Sequence, residues 1–243
     1  MSATVSIAMW SGPRNISTAM MRSFGARADT HVSDEPFYAA YLAASGARHP
    51  MRDAVLAAHE TDPEAVARAC AGAAPDGAPL SYQKQMVHHL LDGFPRGWMA
   101  ACRHAFLIRD PARVIASYAA KAEAPVTLAD VGYAQQAALW DEVASLTGEV
   151  PVVVDADRLL ANPEEQLRRL CGGLDVPFDP AMLSWAPGPR PTDGAWAPHW
   201  YASIEAASGF GPPPGPPPPL PAGLREVEAA ARPLYGRLAR YAA

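Results

Sequence analysis

Short apolar runs alternate along the chain with longer segments in which apolar side chains recur every three to four positions. The short runs predict strands at residues 5–10, 30–34, 80–84, 105–109 and 151–155. The longer segments predict helices at residues 17–26, 37–45, 52–59, 63–72, 85–92, 111–122 and 128–147. Because buried strands that alternate with helices are typical of parallel sheets, the pattern predicts an α/β fold. We expect a three-layer α/β/α arrangement around a central parallel sheet of about five strands.

The pattern changes after the last predicted strand. One more helix is predicted at residues 163–174, followed by an irregular stretch rich in Pro and Trp. Residues 211–221, GPPPGPPPPLP, cannot form a helix or a central strand and predict a stiff polyproline connection to a C-terminal helix at 224–241. We expect one domain over residues 1–243.

Composition narrows the classes of partner. The chain has 49% hydrophobic and 19% charged residues, as in ordinary globular proteins, and a net charge of −5 without a long basic block. This argues against nucleic acid or an anionic membrane as the main partner. The three cysteines are odd in number and widely spaced, which predicts buried free thiols rather than disulfides or a zinc site. With no leader or membrane-spanning run in the sequence, we expect a cytoplasmic protein, with a homodimer as the candidate oligomeric state.

The first candidate site is WSGPRNIST, residues 10–18, where a strand leads into a helix. Arg14 offers a guanidinium, Ser17 and Thr18 offer hydroxyls, and the start of the helix offers unpaired N–H groups. Such an array suits a tetrahedral oxyanion. The stretch lacks the G-x-x-x-x-G-K-[ST] pattern of nucleotide-triphosphate loops. An ordinary capped helix with a surface arginine is the alternative.

The second candidate site is FLIRDPARVIASY, residues 106–118. Arg109 ends a predicted strand, Pro111 begins a helix, and Ser117 follows two turns later. The pair Arg109 and Ser117 suits a second phosphate. The alternative is a plain strand-to-helix turn with a surface arginine.

Taken together, the two stretches resemble the PAPS-dependent sulfotransferases (PAPS is 3′-phosphoadenosine 5′-phosphosulfate), and they are most similar to a bacterial sulfotransferase-like branch on a P-loop type of fold. In that family a Pro-Lys/Arg-Ser-Gly-Thr-Thr loop cradles the 5′-phosphosulfate, and a later Arg-x₇-Ser pair holds the 3′-phosphate. The resemblance implies a cofactor-binding set in this sequence: Arg14, Asn15, Ile16, Ser17, Thr18, Arg109, Ser117 and, in a loop that folds over the 3′-phosphate, Trp196. Ile16 departs from the family pattern, because it stands where the family usually has Gly.

The resemblance also implies the chemistry. Members transfer the sulfuryl group from PAPS to an acceptor and release PAP (3′-phosphoadenosine 5′-phosphate), and no metal is needed. Arg14 would stabilise charge on the leaving phosphate. The acceptor needs a base, and Glu35 in SDEPFY corresponds to the catalytic Glu of the carbohydrate-type branch, with Lys84 as a companion cation. We expect the following Pro36 to hold Glu35 extended.

His88 is the other candidate base. It lies four residues after Lys84, a spacing that puts both side chains on one side of a helix, and also on one side of the strand if the strand continues. A helix-start acid at Glu35 and a surface pair at His88 and His89 are the structural alternatives.

The sequence therefore predicts a sulfotransferase that acts on a hydroxyl or amine of a small-molecule acceptor. Two other classes stay open at this point: a P-loop nucleotide-binding or kinase-like enzyme, and a non-catalytic homologue that binds PAP or PAPS. The sequence does not identify the acceptor.

Overall fold

The computed structural model describes residues 4–122 and 124–242. In this part of the chain a single sheet contains β1 (Val5–Ser11), β2 (Thr30–Asp34), β3 (Leu80–Met86), β4 (Cys102–Ile108) and β5 (Val152–Asp155), in the order β2-β3-β1-β4-β5. The strands are all parallel, with Asp34 of β2 in register with Lys84 of β3. The prediction of an α/β fold with about five parallel strands is confirmed.

The strand order reverses at β1, since β2 lies on one side of it and β4 and β5 follow on the other. Parallel strands are normally joined by right-handed crossovers, so a strand order that reverses in this way is typical of three-layer α/β/α sheets. Ligands of such sheets bind beyond the carboxyl end of the strand where the order reverses. In this chain the segment that leaves that end of β1 is the loop with Arg14.

Most of the predicted helices are present close to their predicted positions, and two short helices lie in the Pro- and Trp-rich stretch that was expected to be irregular. The helices are α1 (Ser17–Gly25), α2 (Tyr38–Ser45), α3 (Arg52–Ala58), α4 (Pro63–Ala71), α5 (Pro111–Ala119), α6 (Leu128–Val131), α7 (Tyr133–Thr147), α8 (Ala156–Ala161), α9 (Pro163–Gly173), α10 (Ala197–Trp200), α11 (Ala202–Glu205) and α12 (Ala222–Ala239). Short 3₁₀ turns span Val87–His89, Gly97–Ala101 and Pro180–Leu183. None of the helices in the described part of the chain is long and apolar enough to cross a membrane.

The predicted helix at residues 85–92 is wrong. The chain remains in β3 through Met86 and then makes only the 3₁₀ turn Val87–His89. Tertiary contacts outweigh helix propensity here, because β3 lies between β2 and β1 and the Gln83 side chain donates to the carbonyl of Cys70 at 2.7 Å. Lys84 therefore does not share a helical face with His88.

The predicted helix at 128–147 is two helices, α6 and α7. Gly132 separates them with a φ of 76°, a left-handed conformation that glycine adopts at little cost. Thr127 and Asp130 close α6 with a reciprocal capping box. The sequence pattern does not predict α8, which Asp155 begins by accepting hydrogen bonds from the backbone N–H groups of Asp157 and Arg158.

Two compact units make up the described chain. The first unit comprises residues 4–9, 18–103 and 179–210, and the second comprises 10–17, 104–178 and 211–242 apart from residue 123. In the first unit, Phe24 stacks on Tyr82 with 4.3 Å between ring centroids. In the second unit, α5 and α12 bury a cluster that includes Ile115 and Ala231. The expectation of a single domain stays a prediction.

The three cysteines, Cys70, Cys102 and Cys171, are buried thiols that form no disulfide, as predicted. Burial raises the pKa of Cys70 and of Cys102 to about 12. These thiols are therefore packing residues and not nucleophiles at neutral pH.

Candidate functional site

The loop between β1 and α1 lies in the second unit and is tightly folded. Arg14 and Ile16 both adopt left-handed backbone, with φ values of 62° and 56°. A β-carbon at Gly12 would lie 2.9 Å from the carbonyl oxygen of Val131, so only glycine fits there without movement. Alternating left-handed residues turn successive N–H groups toward one side, which is the backbone geometry of anion-binding nests.

Arg14 joins the two predicted motifs. Its Nε donates to Oγ of Ser117 at 2.9 Å, and its carbonyl oxygen accepts from Nη1 of Arg109 at 2.9 Å. Three of the residues that the sequence singled out for phosphate binding, from two distant stretches, are thus in direct contact. The two Nη groups of Arg14 make no hydrogen bond within residues 4–122 and 124–242, which leaves four N–H donors for a ligand.

Asn15 anchors the loop to the end of β4. It is 1% exposed, and its Nδ2 donates to the carbonyl oxygen of Leu107 at 3.1 Å. Gln136 of α7 donates to the same oxygen at 2.8 Å. The Oδ1 atom of Asn15 is buried and accepts no hydrogen bond from the described residues. Asn15 therefore fixes the loop through its amide nitrogen, a structural role that the sequence did not reveal.

The surroundings of the loop are positively charged. Burial lowers the pKa of Arg14 and of Arg109. The negative charge of Asp157 opposes this effect on Arg109, and the Oδ1 of Asp157 lies 4.0 Å from the Arg109 Nε. That distance is too long for a hydrogen bond, and the other oxygen of Asp157 accepts from Nε of Arg113 at 2.7 Å. Arg109 and Arg113 therefore share one carboxylate, and Arg14 adds a further positive charge beside Arg109 that an anion would balance.

Asp110 and Pro111, which follow Arg109, have structural roles. Asp110 caps α5 by accepting from the backbone N–H groups of Ala112 and Arg113, and its Oδ2 accepts from Nη1 of Arg232 at 2.8 Å. Pro111 occupies the first turn of α5, where its missing N–H costs nothing. These contacts fix the direction in which α5 leaves β4, and hence the position of Ser117.

A second cluster of charged residues lies in the first unit, around Lys84. This side chain is 2% exposed, and its Nζ contacts Asp34 Oδ1 at 3.0 Å, Glu35 Oε1 at 2.6 Å and the hydroxyl of Tyr201 at 2.6 Å. An ammonium group has three N–H donors, and these three contacts use all of them. The two carboxylates raise the pKa of Lys84 well above its usual value against the effect of burial. Lys84 is therefore a fully engaged cation.

Tyr201 is saturated as well. Its hydroxyl donates to Asp34 Oδ2 at 2.7 Å and accepts from Lys84 and from Nε1 of Trp196, the latter at 3.1 Å. The backbone N–H of Gly194 also donates to Asp34 Oδ2 at 3.1 Å. Asp34, which the sequence did not single out, thus ties residues 194–201 to the end of β2. Trp196 is buried in this cluster, and its assignment to the nucleotide stays a prediction.

Glu35 lies at the edge of the same cluster, with 12% of its side chain exposed. Its φ is 44°, so the expectation that Pro36 holds it extended is wrong. The turn that follows explains this conformation, because the Glu35 carbonyl accepts from the N–H of Tyr38 at 2.9 Å as α2 begins. Burial raises the pKa of Glu35, while the charge of Lys84 acts in the opposite direction.

His89 belongs to the surroundings of Glu35. His88 is half-buried in the 3₁₀ turn, whereas His89 is 6% exposed, and its Nδ1 lies 3.6 Å from Glu35 Oε2. The His89 ring is stacked on Tyr38 and Tyr41 at centroid distances of 4.4 and 5.0 Å. The sequence shows only two adjacent histidines, and the 3₁₀ turn decides which of them is buried.

The described residues contain no group of three or more His, Cys, Asp or Glu side chains arranged to hold a metal ion.

Comparison with known proteins identifies the family. The family model described as "Sulfotransferase domain" matches residues 5–242. The chain belongs to the sulfotransferase family.

Two curated relatives from Arabidopsis thaliana cover 229 residues of this sulfotransferase chain. They are "Branched-chain-amino-acid aminotransferase-like protein 1", at 36% identity, and "Branched-chain-amino-acid aminotransferase-like protein 2", at 34%. Each match covers 94% of this chain but 40% of the relative. The chain therefore spans well under half the length of these relatives.

Solved sulfotransferase structures share the fold. A sulfotransferase from Alicyclobacillus acidocaldarius aligns with a TM-score of 0.56 and 13% identity over 99% of this chain and 96% of that one. The sulfotransferase domain of the Synechococcus PCC 7002 olefin synthase aligns with a TM-score of 0.53 and 15% identity over 94% of each chain. At these identities the similarity establishes the fold.

Proposed function

We propose that this chain is a PAPS-dependent sulfotransferase that transfers a sulfuryl group to a hydroxyl or amine of a small-molecule acceptor. The observation that carries the proposal is the contact of Arg14 with both Ser117 and Arg109, at 2.9 Å each. These residues come from the two stretches that resemble the phosphosulfate loop and the 3′-phosphate motif of the family. A sulfuryl donor that carries two separate anionic groups fits two phosphate-binding motifs that are in direct contact.

The residues in the second unit suit that donor. The left-handed backbone at Arg14 and Ile16 and the hydroxyl of Ser17 would hold the 5′-phosphosulfate. Arg109 and the hydroxyl of Ser117 would hold the 3′-phosphate, since Ser117 accepts from Arg14 and keeps its own O–H for a ligand. Bound PAPS supplies the sulfuryl group and the leaving phosphate.

The roles of these side chains in the reaction follow from their charges. The four uncommitted N–H donors of Arg14 would stabilise the negative charge that builds on the leaving phosphate oxygen, and an arginine fork spans two oxygens at once. We assign Glu35 as the base that removes the acceptor's proton. Lys84, whose donors are all used, would hold the Glu35 carboxylate in place and favour its charged form.

Titration calorimetry with PAP tests the donor. We expect PAP to bind and adenosine 5′-phosphate, which lacks the 3′-phosphate, to bind at least tenfold more weakly. Release of PAP from PAPS in a screen of alcohols, phenols, sugars and amines then tests transfer. Failure to bind PAP would refute the proposal, and PAP binding without transfer to any acceptor class would favour the non-catalytic alternative.

A further inference from the structure

The two oxygens of the Glu35 carboxylate have different neighbours. Oε1 accepts from Lys84 Nζ at 2.6 Å, while Oε2 faces Nδ1 of His89 at 3.6 Å. Both contacts lie within the first unit. A proton added to Oε1 would meet the ammonium group, whereas a proton added to Oε2 would point at a ring nitrogen.

His89 Nδ1 is available for such a proton. It is a buried atom with no hydrogen-bond partner among the described residues, although a buried ring nitrogen in a folded protein almost always has one. The ring stacks on Tyr38, at an interplanar angle of 7°, and on Tyr41, at 26°, which fixes the plane of the ring with the Nδ1 edge toward Glu35. Burial lowers the pKa of His89 well below its usual value, and its neighbours His88, His49 and Lys84 act in the same direction. The ring is therefore neutral, with one nitrogen that accepts.

We propose that His89 is a positioning residue for Glu35: its neutral ring, protonated at Nε2, presents the Nδ1 lone pair to Oε2 and accepts a hydrogen bond when Oε2 takes the acceptor's proton. The inference rests on the proposed function, which assigns Glu35 as the base. It adds two points: Oε2 is the carboxylate oxygen that takes the proton, and His89 Nδ1 accepts the hydrogen bond from the resulting O–H group.

The step balances as follows. The acceptor's O–H or N–H bond breaks, its proton goes to Oε2, and the electron pair of the acceptor atom forms the bond to sulfur. The bond between sulfur and the phosphate oxygen breaks, and its electron pair leaves with PAP. The new Oε2–H group then closes the 3.6 Å gap to Nδ1 and forms a hydrogen bond. Oε1 stays on Lys84 throughout, so the carboxyl group does not rotate.

Two substitutions distinguish the contribution of the His89 ring from that of its Nδ1 atom. His89→Phe keeps a flat ring between Tyr38 and Tyr41 and removes Nδ1, whereas His89→Asn places an amide oxygen near the Nδ1 position and removes the ring. We expect His89→Phe to lower kcat roughly tenfold or more while the acceptor KM and the PAP affinity stay near wild type. We expect His89→Asn to keep most of the activity, and His199→Asn, a change at an exposed histidine, serves as the control.

The outcomes distinguish the two proposals. Wild-type protein that fails to bind PAP or to turn over PAPS refutes the proposed function. If the wild type turns over and His89→Phe keeps the same kcat, the proposed role of His89 is refuted. Equal losses of kcat in His89→Phe and His89→Asn also refute it, because they indicate that His89 acts through packing alone. Nitrogen-15 NMR of the wild-type protein tests the same point without relying on a variant that folds. An unprotonated His89 Nδ1 at neutral pH supports the proposal, and a protonated His89 Nδ1 overturns it.

Discussion

The Nε of Arg14 lies 2.9 Å from the Oγ of Ser117, a residue 103 positions further along the chain. This contact joins the loop after β1 to the helix after β4. It makes the two predicted phosphate motifs one structural feature of the second unit. A change in either residue should therefore affect how the other binds a ligand.

A double-mutant cycle of Arg14→Ala and Ser117→Ala tests this coupling. Each single change should weaken PAP binding, and the double change should cost less than the sum, with an interaction energy of about 1 kcal/mol. The measurement is PAP affinity by calorimetry at constant salt. Strict additivity would show that the two side chains bind the nucleotide independently.

Arg109→Ala should weaken PAP binding by about 2–4 kcal/mol, because a guanidinium that contacts a phosphate forms charge-assisted hydrogen bonds. The loss should be much smaller for adenosine 5′-phosphosulfate, which lacks the 3′-phosphate. Arg168→Ala removes the same charge from an exposed pair on α9 and serves as the control. Equal losses for the two nucleotides would mean that Arg109 does not recognise the 3′-phosphate.

Ile16 has an unfavourable backbone for a β-branched residue, at a φ of 56°. A left-handed L-residue costs roughly 1–2 kcal/mol, and glycine avoids this cost at the expense of about 0.5–1 kcal/mol of backbone entropy. We expect Ile16→Gly to be at least as stable as Ile16→Ala, the reverse of the order at most ordered positions. Urea unfolding of the two variants measures this. A Gly variant less stable than Ala by 1 kcal/mol would argue against strain at this position.

Glu35→Gln should lower turnover by on the order of 10²–10⁴ and leave PAP affinity nearly unchanged, because the amide cannot take the acceptor's proton. His88→Asn should cost much less. Initial rates of PAP release with a working acceptor measure both variants. The opposite ranking, with His88→Asn inactive and Glu35→Gln near wild type, would move the base to His88.

Lys84→Met should destabilise the fold by about 3–5 kcal/mol, because it leaves Asp34 and Glu35 buried without their cation. The pKa of Glu35 is already raised in the folded state, and losing Lys84 raises it further. Because the pKa of Glu35 is higher in the folded than in the unfolded state, its protonation stabilises the fold. This stabilisation is fully present below the unfolded pKa and is lost as pH rises through the folded pKa. The variant should therefore regain stability on acidification toward the unfolded pKa of glutamate.

Urea unfolding of Lys84→Met at pH 5 and pH 8 measures this effect. Lys121→Met, an exposed change, is the control. A variant whose loss of stability is the same at both pH values would show that Lys84 does not compensate these carboxylates.

Much of the fold could be predicted from periodicity. The strands β1 and β2 and the helices α3, α4 and α9 lie within a residue or two of their predicted bounds, because their apolar spacing matches one period only. The segment after Lys84 could not be predicted in this way. Its residues suit a helix locally, yet pairing in the centre of the sheet keeps them in β3 through Met86.

The sequence by itself determined which residue types stand at the ends of the strands, and those residues indicated the sulfotransferase family. Only the tertiary structure decided which of them touch. Asp34 is one residue from the predicted Glu35, but its role with Lys84 and Tyr201 depends on strand register and on a segment 160 residues away. His89 likewise faces Glu35 only because the chain leaves β3 in a 3₁₀ turn. The physical reason is that spacing along the chain sets the direction of side chains within one element, whereas contacts between elements depend on packing that local periodicity does not encode.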